Sequence, residues 1–164
     1  SAGIGQGYML ATPLQLAQAA MVLANKGESF VPSIVHRVDD LTVGGVQRPP
    51  MPMDEADWQA VVASMVDVVH TARGTAAGIA RGIGYQVAGK TGTSQVVSIA
   101  QDAIYDEDAI SERNRNHGLF VAFAPAENPR IVIAVIAENG GGSGAASPVA
   151  RRVMDAWLSK ASDV

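Results

Sequence analysis

Apolar residues recur every three or four positions in two segments of the first half of the chain, and this spacing predicts two amphipathic helices. The first is predicted to begin at Thr12, which can cap it, with Pro13 at the first helical position and Gln15 completing a capping box. Gly27 is expected to end it. The second helix is predicted to begin at Asp54. The predicted buried faces are Leu14, Ala17, Met21 and Ala24 in the first helix, and Trp58, Val61, Met65 and Val68 or Val69 in the second.

The rest of the chain has the pattern of short strands followed by a helix. Strands are predicted at residues 30–38 and 85–97, and residues 118–124 and 130–137 are predicted to pair as a hairpin. A closing helix is predicted to begin at Ser147–Pro148 and to bury one apolar stripe, made of Val149, Val153 and Trp157. These elements indicate an α+β fold in which helices pack on an antiparallel sheet.

Residues 99–116 form a polar segment that carries charges of both signs and lacks a clean periodicity. A segment of this length without regular structure predicts a long loop. It could gate a cleft or contact a partner, and a solvated loop is the simpler interpretation.

Composition narrows the class of protein. The chain has 164 residues, of which 48% are hydrophobic and 17% charged, with a formal net charge of −4. These values fit one globular domain, and no apolar run is long enough to span a bilayer. No basic cluster is present to neutralise phosphates, so nucleic acid is not an expected partner. There is no cysteine, and the three histidines are scattered without ligand spacing, so neither a metal nor a cofactor is expected.

The segment Lys90–Thr93 is the strongest candidate for chemistry, and it admits two interpretations. Residues 84–91 match the phosphate-binding pattern G-x-x-x-x-G-K-[ST]. A phosphate-binding loop needs a strand before its first glycine and a helix that begins at the lysine and threonine. Residues 76–83 are not strand-like and residues 92–97 are β-prone, so a P-loop nucleotide-binding protein is the less favoured alternative.

The other interpretation places the same residues on an edge strand, to which an extended peptide can add through backbone hydrogen bonds. Gly92 would allow close approach of a substrate, and the hydroxyls of Thr91 and Thr93 suit a carboxylate. Lys90 would supply a cation that can assist proton transfer, and a backbone N–H near Thr93 could stabilise an oxyanion. Ser94 and Gln95 continue the strand and would line the cleft. A solvated strand whose lysine has no catalytic role remains the simpler reading.

Five segments stand in a fixed order along the chain: residues 5–17, 74–76, 88–96, 117–125 and 138–141, followed by the closing helix. This ordered set resembles the class B penicillin-binding proteins, in particular their elongation-type members. The resemblance covers nearly the whole chain, and the set is far more specific than any single motif.

The resemblance implies part of a penicillin-binding or serine β-lactamase-like transpeptidase fold. That family is a group of serine acyltransferases with three motifs, S-x-x-K, S-x-N and K-[ST]-G. Only the third is present here, at residues 90–92. Residues 1–164 are therefore expected to be the C-terminal portion of one transpeptidase domain. A longer protein, called the parent protein below, would carry the nucleophile and a membrane anchor upstream, and the chain alone is expected to be inactive.

The resemblance also implies roles for the site residues. Lys90 and Thr93 would be catalytic, Lys90 beside the second-motif serine and Thr93 as an oxyanion donor through its backbone N–H. Residues 91–95 would bind substrate, with Thr91 and Thr93 holding the carboxylate of a peptidoglycan stem peptide or of a β-lactam. His117 is a further candidate, although a strand-end histidine bonded to the backbone is the simpler interpretation.

The parent protein would act in the periplasm, on the outer side of the cytoplasmic membrane, beside other proteins of cell-wall synthesis. It would contact the membrane only through its N-terminal anchor. A non-catalytic module that binds the cell wall is the second alternative to a transpeptidase.

Overall fold

A three-stranded antiparallel sheet is the centre of the computed structural model, which describes residues 9–96 and 110–160. The described helices are α1 (Pro13–Ala24), α2 (Glu55–His70) and α3 (Ser143–Lys160). The described strands are β1 (Ser29–Phe30), β2 (Arg37–Val38), β3 (Leu41–Thr42), β4 (Gln47–Arg48), β5 (Ala88–Ser94), β6 (His117–Ala124) and β7 (Ile131–Ala137). The central sheet has the order β5-β6-β7, and its three strands are antiparallel to their neighbours. The predicted α+β class is confirmed.

Local signals place α1 where the sequence predicts it. The Thr12 hydroxyl accepts from the backbone N–H of Gln15, and the Gln15 side chain accepts from the N–H of Thr12. This capping box satisfies two donors that the first turn leaves unpaired. Gly27 follows the helix with φ +97°, and an added Cβ there would lie 2.5 Å from the carbonyl oxygen of Met51. On the predicted inner face Met21 is buried, but Leu14 is exposed.

Helix α2 begins just after Asp54, as predicted, with Glu55 and Asp57 in its first turn. Negative charges stabilise this end of a helix because it carries the positive end of the helix dipole. Trp58, Met65 and Val69 are buried, while Val61 is not.

The core lies on both faces of the central sheet. On one face, alternate residues of β6 pack with α3, and the buried members are Phe120, Ala122, Ala124, Ala146, Ala150 and Met154. On the other face, Phe123 of β6 and Ala88 of β5 pack with Met65 of α2. The predicted hairpin of residues 118–124 and 130–137 is β6 and β7, so this prediction is confirmed.

Helix α3 differs from its prediction in start and in orientation. It begins at Ser143, one turn before the predicted start at Ser147, and Ala146 in this added turn is already part of the buried core. The stripe that was expected to be buried is exposed: Val149 is 49% exposed, Val153 45% and Trp157 56%. The neighbouring stripe of Ala146, Ala150 and Met154 has the same four-residue spacing and is fully buried. The small side chains of Ala146 and Ala150 let the first turns of the helix backbone approach the sheet, which the valines of the other stripe would prevent.

The strand predicted at residues 30–38 is largely wrong. Only Phe30, the second residue of β1, and the two residues of β2 form strand within it, and the two strands pair separately with β4 and β3. Pro32 interrupts the run, because proline has no N–H to donate to a ladder. Of the loop predicted at residues 99–116, only 110–116 are described, with a 3-10 turn at Glu112–Asn114. The rest of that prediction lies outside the described residues. No described helix has both the length and the apolar character of a membrane span.

Candidate active site on the edge strand

Two hydrogen bonds hold the residues that lead into strand β5. The backbone N–H of Val87 donates to Nε2 of His70 at 2.9 Å, which ties the strand to the last residue of α2. The carbonyl of Gln86 accepts from the N–H of Ala126, just beyond β6, at 2.9 Å. Because residues 86 and 87 make these other bonds, regular pairing begins at Ala88 rather than at the predicted residue 85. Gly89 then passes over Phe120, where an added Cβ would lie 2.6 Å from the ring.

The nucleotide-binding interpretation is wrong. Lys90 and Thr91 lie in the middle of β5, and both pair with β6. No helix begins at Thr91, and a 3-10 turn at Ala77–Ala80 stands where a P-loop needs a strand. Backbone N–H groups that cradle phosphate at a helix N-terminus are therefore not formed by this segment.

Alternation along β5 divides the candidate residues between two faces. Successive side chains of a strand point to opposite faces of the sheet. Lys90, Gly92 and Ser94 therefore share one face, and Thr91 and Thr93 share the other. The two threonines are two positions apart, which sets their Cα atoms about 7 Å apart. One carboxylate, which has two oxygens, can accept a hydrogen bond from each hydroxyl across such a gap.

Lys90 is exposed at the edge of the sheet, and its Nζ donates to the carbonyl oxygen of Thr91 at 2.7 Å. Within the described residues β5 pairs with β6 on one side only. The ammonium group therefore lies at the edge where an added peptide would place its own backbone.

Thr91 has a partner that sequence reasoning missed. Its hydroxyl oxygen lies 2.8 Å from the hydroxyl oxygen of Thr75, in the turn after α2. Residues 74–76 are one of the segments that carry the resemblance, but nothing local in Gly74-Thr75-Ala76 indicates a contact with β5.

The far end of β5 meets the start of β6. Ser94 pairs with His117, and Gln95 follows the strand as an exposed residue. His117 accepts through Nδ1 from the backbone N–H of Asn139 at 2.9 Å. This is the backbone-bonded strand-end histidine of the simpler interpretation. The Asn139 amide donates in turn to the carbonyls of Arg113 and Arg115, so this end of the site is held by a small polar network.

A hydrogen-bond network of Tyr85, Arg151 and Asp155 connects the segment that leads into β5 to helix α3. The hydroxyl of Tyr85 donates to Asp155 of α3 at 2.7 Å, and Arg151 donates to both oxygens of that carboxylate at 2.8 Å. Arg151 also donates to the carbonyls of Ile79 and Arg81. Burial works against the charged form of Asp155, but the hydrogen bonds from Arg151 and Tyr85 outweigh it and hold the pKa of the carboxyl below its usual value. Burial and the bond to Asp155 raise the pKa of Tyr85 well above its usual value.

This network predicts a contribution to acid stability. The pKa of Asp155 is lower in the folded protein than in the unfolded chain. Its stabilising contribution is therefore present above the unfolded value of about 4, and it is lost as the pH falls through the folded value. We expect Asp155→Asn to lower the free energy of unfolding at pH 7 by about 1 kcal/mol or less, because the carboxyl is 44% exposed and solvent screens the pair. The difference from the unchanged protein should shrink as the pH falls below about 4.

Chemical denaturation of the parent protein between pH 3 and pH 7 measures this difference. Glu127→Gln, which neutralises an exposed carboxylate in the turn between β6 and β7, is the control and should leave the pH profile nearly unchanged. An equal effect of Asp155→Asn at every pH would contradict the prediction.

Among the described residues, no group of three histidine, cysteine, aspartate or glutamate side chains is placed to hold a metal ion.

Comparison with known proteins identifies the family. Residues 1–155 match the family described as penicillin binding protein transpeptidase domain. Two curated relatives, from Acinetobacter baumannii and Haemophilus influenzae, are each named peptidoglycan D,D-transpeptidase MrdA. They are 46% and 39% identical to this chain, over 96% and 98% of its length. The chain spans about a quarter of these relatives, 24% and 26% of their lengths.

Three solved structures are similar to the fold. A crystal structure of Pseudomonas aeruginosa PBP2 in complex with WCK 5153 matches with a TM-score of 0.79 and 45% identity, over 95% of this chain and 32% of that one. An imipenem acyl-enzyme complex of penicillin-binding protein A from M. tuberculosis matches with a TM-score of 0.71 and 28% identity, over 94% and 32%. A complex of PBP2 with MreC from Helicobacter pylori matches with a TM-score of 0.65 and 29% identity, over 86% and 23%.

These matches agree with the expectation from the ordered segments around Lys90–Thr93, and they leave the nucleotide-binding alternative without support. The chain belongs to the penicillin-binding protein transpeptidase domain family, as a segment similar to the elongation-type penicillin-binding protein 2.

Proposed function

We propose that this chain is the C-terminal part of a peptidoglycan D,D-transpeptidase domain, and that its parent protein cross-links stem peptides by acyl transfer through a serine ester. The observation that supports this most directly is the edge strand β5. Among the described residues β5 pairs only with β6, and Lys90 lies at its other, open edge. The strand also carries Thr91 and Thr93 together on one face.

An extended stem peptide would bind by adding to the edge of β5. Backbone N–H and C=O groups would give affinity, and the side chains of the strand would give selectivity. The hydroxyls of Thr91 and Thr93 would take the terminal carboxylate, and Gly92 between them adds no side chain that would hold the peptide away. Ser94 ends the same strand and Gln95 follows it, and both would contact the rest of the substrate.

The reaction would need a nucleophilic serine from the upstream part of the parent protein. Its oxygen would attack the scissile carbonyl carbon, and the negative charge that develops on the carbonyl oxygen would be held by two N–H groups, one from Thr93. The carbon–nitrogen bond would then break, with a proton passing to the leaving amine and an ester left on the serine. An amine of a second stem peptide would attack this ester, releasing the serine and forming the cross-link.

Lys90 would contribute its positive charge beside the reacting groups. A cation there favours the ionised forms of the substrate and nucleophile and can help the proton move through a neighbouring serine hydroxyl. A β-lactam would follow the first half of this path, since ring opening also forms a serine ester. The imipenem acyl-enzyme of the mycobacterial relative is consistent with such chemistry in the family.

Location and partners follow from the same proposal. Peptidoglycan lies outside the cytoplasmic membrane, so the domain would work in the periplasm, and the upstream part would supply the anchor. The H. pylori PBP2–MreC complex supports an expectation that the parent protein assembles with other proteins of cell-wall synthesis. No cofactor is needed for acyl transfer through serine.

A labelling experiment tests the proposal. The chain contains no S-x-x-K and no S-x-N sequence, so the isolated 164 residues should not react covalently with a fluorescent penicillin. The parent protein should become labelled at a serine outside this chain, which peptide mass spectrometry would locate. Penicillin pre-treatment is the control and should block the label.

A label on the isolated chain, or a labelled residue within these 164 positions, would contradict the proposal. A parent protein that binds stem peptide without ever forming an adduct would instead favour a non-catalytic cell-wall-binding module.

A further inference from the structure

The hydrogen bond between Thr75 and Thr91 connects the candidate carboxylate site to the turn that follows α2. The two hydroxyl oxygens lie 2.8 Å apart, although the residues are 16 positions apart in the chain. A distance of this size is typical of a well-formed O–H···O bond. Thr75 lies on the same side of β5 as the Thr91 side chain, because it contacts that side chain directly.

The backbone on both sides of Thr75 is fixed. Gly74 passes so close to the end of α2 that an added Cβ would lie 2.3 Å from the carbonyl oxygen of Val68 and 2.6 Å from that of Asp67. Ala76 is buried, and its N–H donates to the carbonyl of Val68 at 3.0 Å. Thr75 therefore stands between two anchored residues, and its hydroxyl is presented to Thr91 from a rigid turn.

When substrate is bound, the single proton of each hydroxyl decides which of the two threonines is the donor in this hydrogen bond. A threonine hydroxyl has one proton to donate and two lone pairs that accept. If Thr91 donates its proton to a carboxylate, it has none left for Thr75. Thr75 must then be the donor and Thr91 the acceptor, which gives a chain from Thr75 to Thr91 to the carboxylate. Hydrogen bonds in such a chain polarise and strengthen one another.

We infer that Thr75 is a positioning residue of the carboxylate site: its hydroxyl donates to Thr91 and so orients the Thr91 proton toward the substrate carboxylate. This inference rests on the proposed function, because it takes Thr91 as a carboxylate ligand. Thr75 itself does not need to touch the substrate. Without its hydroxyl, the Thr91 hydroxyl would be free to rotate and would lose the partner that polarises it.

The parent protein carrying Thr75→Val tests the inference through the substrate carboxylate. The readout is the ratio of acylation rates for penicillin G and for its methyl ester, which lacks the negative charge. We expect Thr75→Val to lower this ratio about three- to tenfold, the change that one net hydrogen bond corresponds to. Thr75→Ser keeps the hydroxyl and should restore the ratio. A purely structural disturbance would slow both compounds alike and leave the ratio unchanged.

Thr71→Val is the matched control. It removes another threonine hydroxyl near the end of α2, one that donates to the carbonyl of Asp67 instead. Its ratio should stay at the value of the unchanged protein. Circular dichroism reports whether each variant folds, and Thr75→Ala replaces Thr75→Val in the same comparison if the valine variant does not.

Thr91→Val separates this inference from the proposed function. If Thr91→Val leaves the ratio unchanged, the proposed role of Thr91 fails. If Thr91→Val lowers the ratio and Thr75→Val does not, only the role of Thr75 is overturned. The double variant should have the same ratio as Thr91→Val alone, since Thr75 acts through Thr91. Independent, multiplying effects of the two changes would also overturn the inference.

Discussion

Replacing Lys90 by alanine in the parent protein is expected to slow acylation by penicillin G about 100- to 10,000-fold, the range typical for removal of a group that assists proton transfer. The physical reason is the position of the ammonium group at the edge of β5, where its Nζ is held by the carbonyl of Thr91. Removing it takes away the positive charge next to the proposed serine and the proton path that depends on it. Stopped-flow mixing with a fluorescent penicillin measures the rate.

The fold should survive this change, because Lys90 is exposed and its alkyl chain fills no part of the core. Lys26→Ala is the matched control: it also removes an exposed lysine, one whose Nζ pairs with Glu55 at 2.6 Å on another surface. Its acylation rate should be close to that of the unchanged protein. Near-normal acylation by Lys90→Ala, with an unchanged circular dichroism spectrum, would contradict the catalytic role of Lys90.

Gly118→Ala in the parent protein is expected to lower the free energy of unfolding by about 3 kcal/mol or more, which is more than we expect for Asp155→Asn. Gly118 lies in β6 opposite Thr93, and the loop before α3 crosses directly over it. An added Cβ would lie 2.0 Å from the carbonyl oxygen of Gly142 and 2.7 Å from its carbon. Both are backbone atoms, so neither can move away by a side-chain rotation, and either the loop or the strand must shift. Thermal unfolding of the parent protein measures the effect.

Gly78→Ala is the control for this substitution, because an added Cβ at Gly78 has no described atom within 4 Å. It should be neutral or slightly stabilising, since alanine restricts the unfolded chain. Gly118→Ala should also slow acylation, because the displaced strand carries the partner of Thr93. A Gly118→Ala protein as stable as Gly78→Ala would show that the loop does not pack on β6 as described.

Features set by neighbouring residues were predictable from the sequence. The capping box at Thr12 and Gln15 depends on residues three positions apart, and the β6–β7 hairpin depends on two apolar runs joined by a short turn. The strand character of Lys90 and Thr91 was predictable for the same reason, because the residues that follow Gly92 are β-prone and do not start a helix.

Features that depend on packing between distant segments were not predictable. Two stripes of α3 have the same spacing, and periodicity alone cannot decide between Ala150 and Val149 as the inward residue. The predicted inward residue is Val149, whereas close approach of the helix to the sheet requires Ala150. Thr75 was missed for a similar reason, because its contact with Thr91 exists only once the turn after α2 lies beside β5.

In the proposed function, the open side of β5 holds the carboxylate and the oxyanion of an acylated substrate. A crystal structure of the parent protein acylated by penicillin G tests it most directly. We expect the penicillin carboxylate within hydrogen-bond distance, about 2.7–3.1 Å, of the hydroxyls of Thr91 and Thr93, and the ester carbonyl oxygen at the N–H of Thr93. A serine adduct whose carboxylate and carbonyl oxygen both lie away from β5 would show that this strand does not form the substrate site.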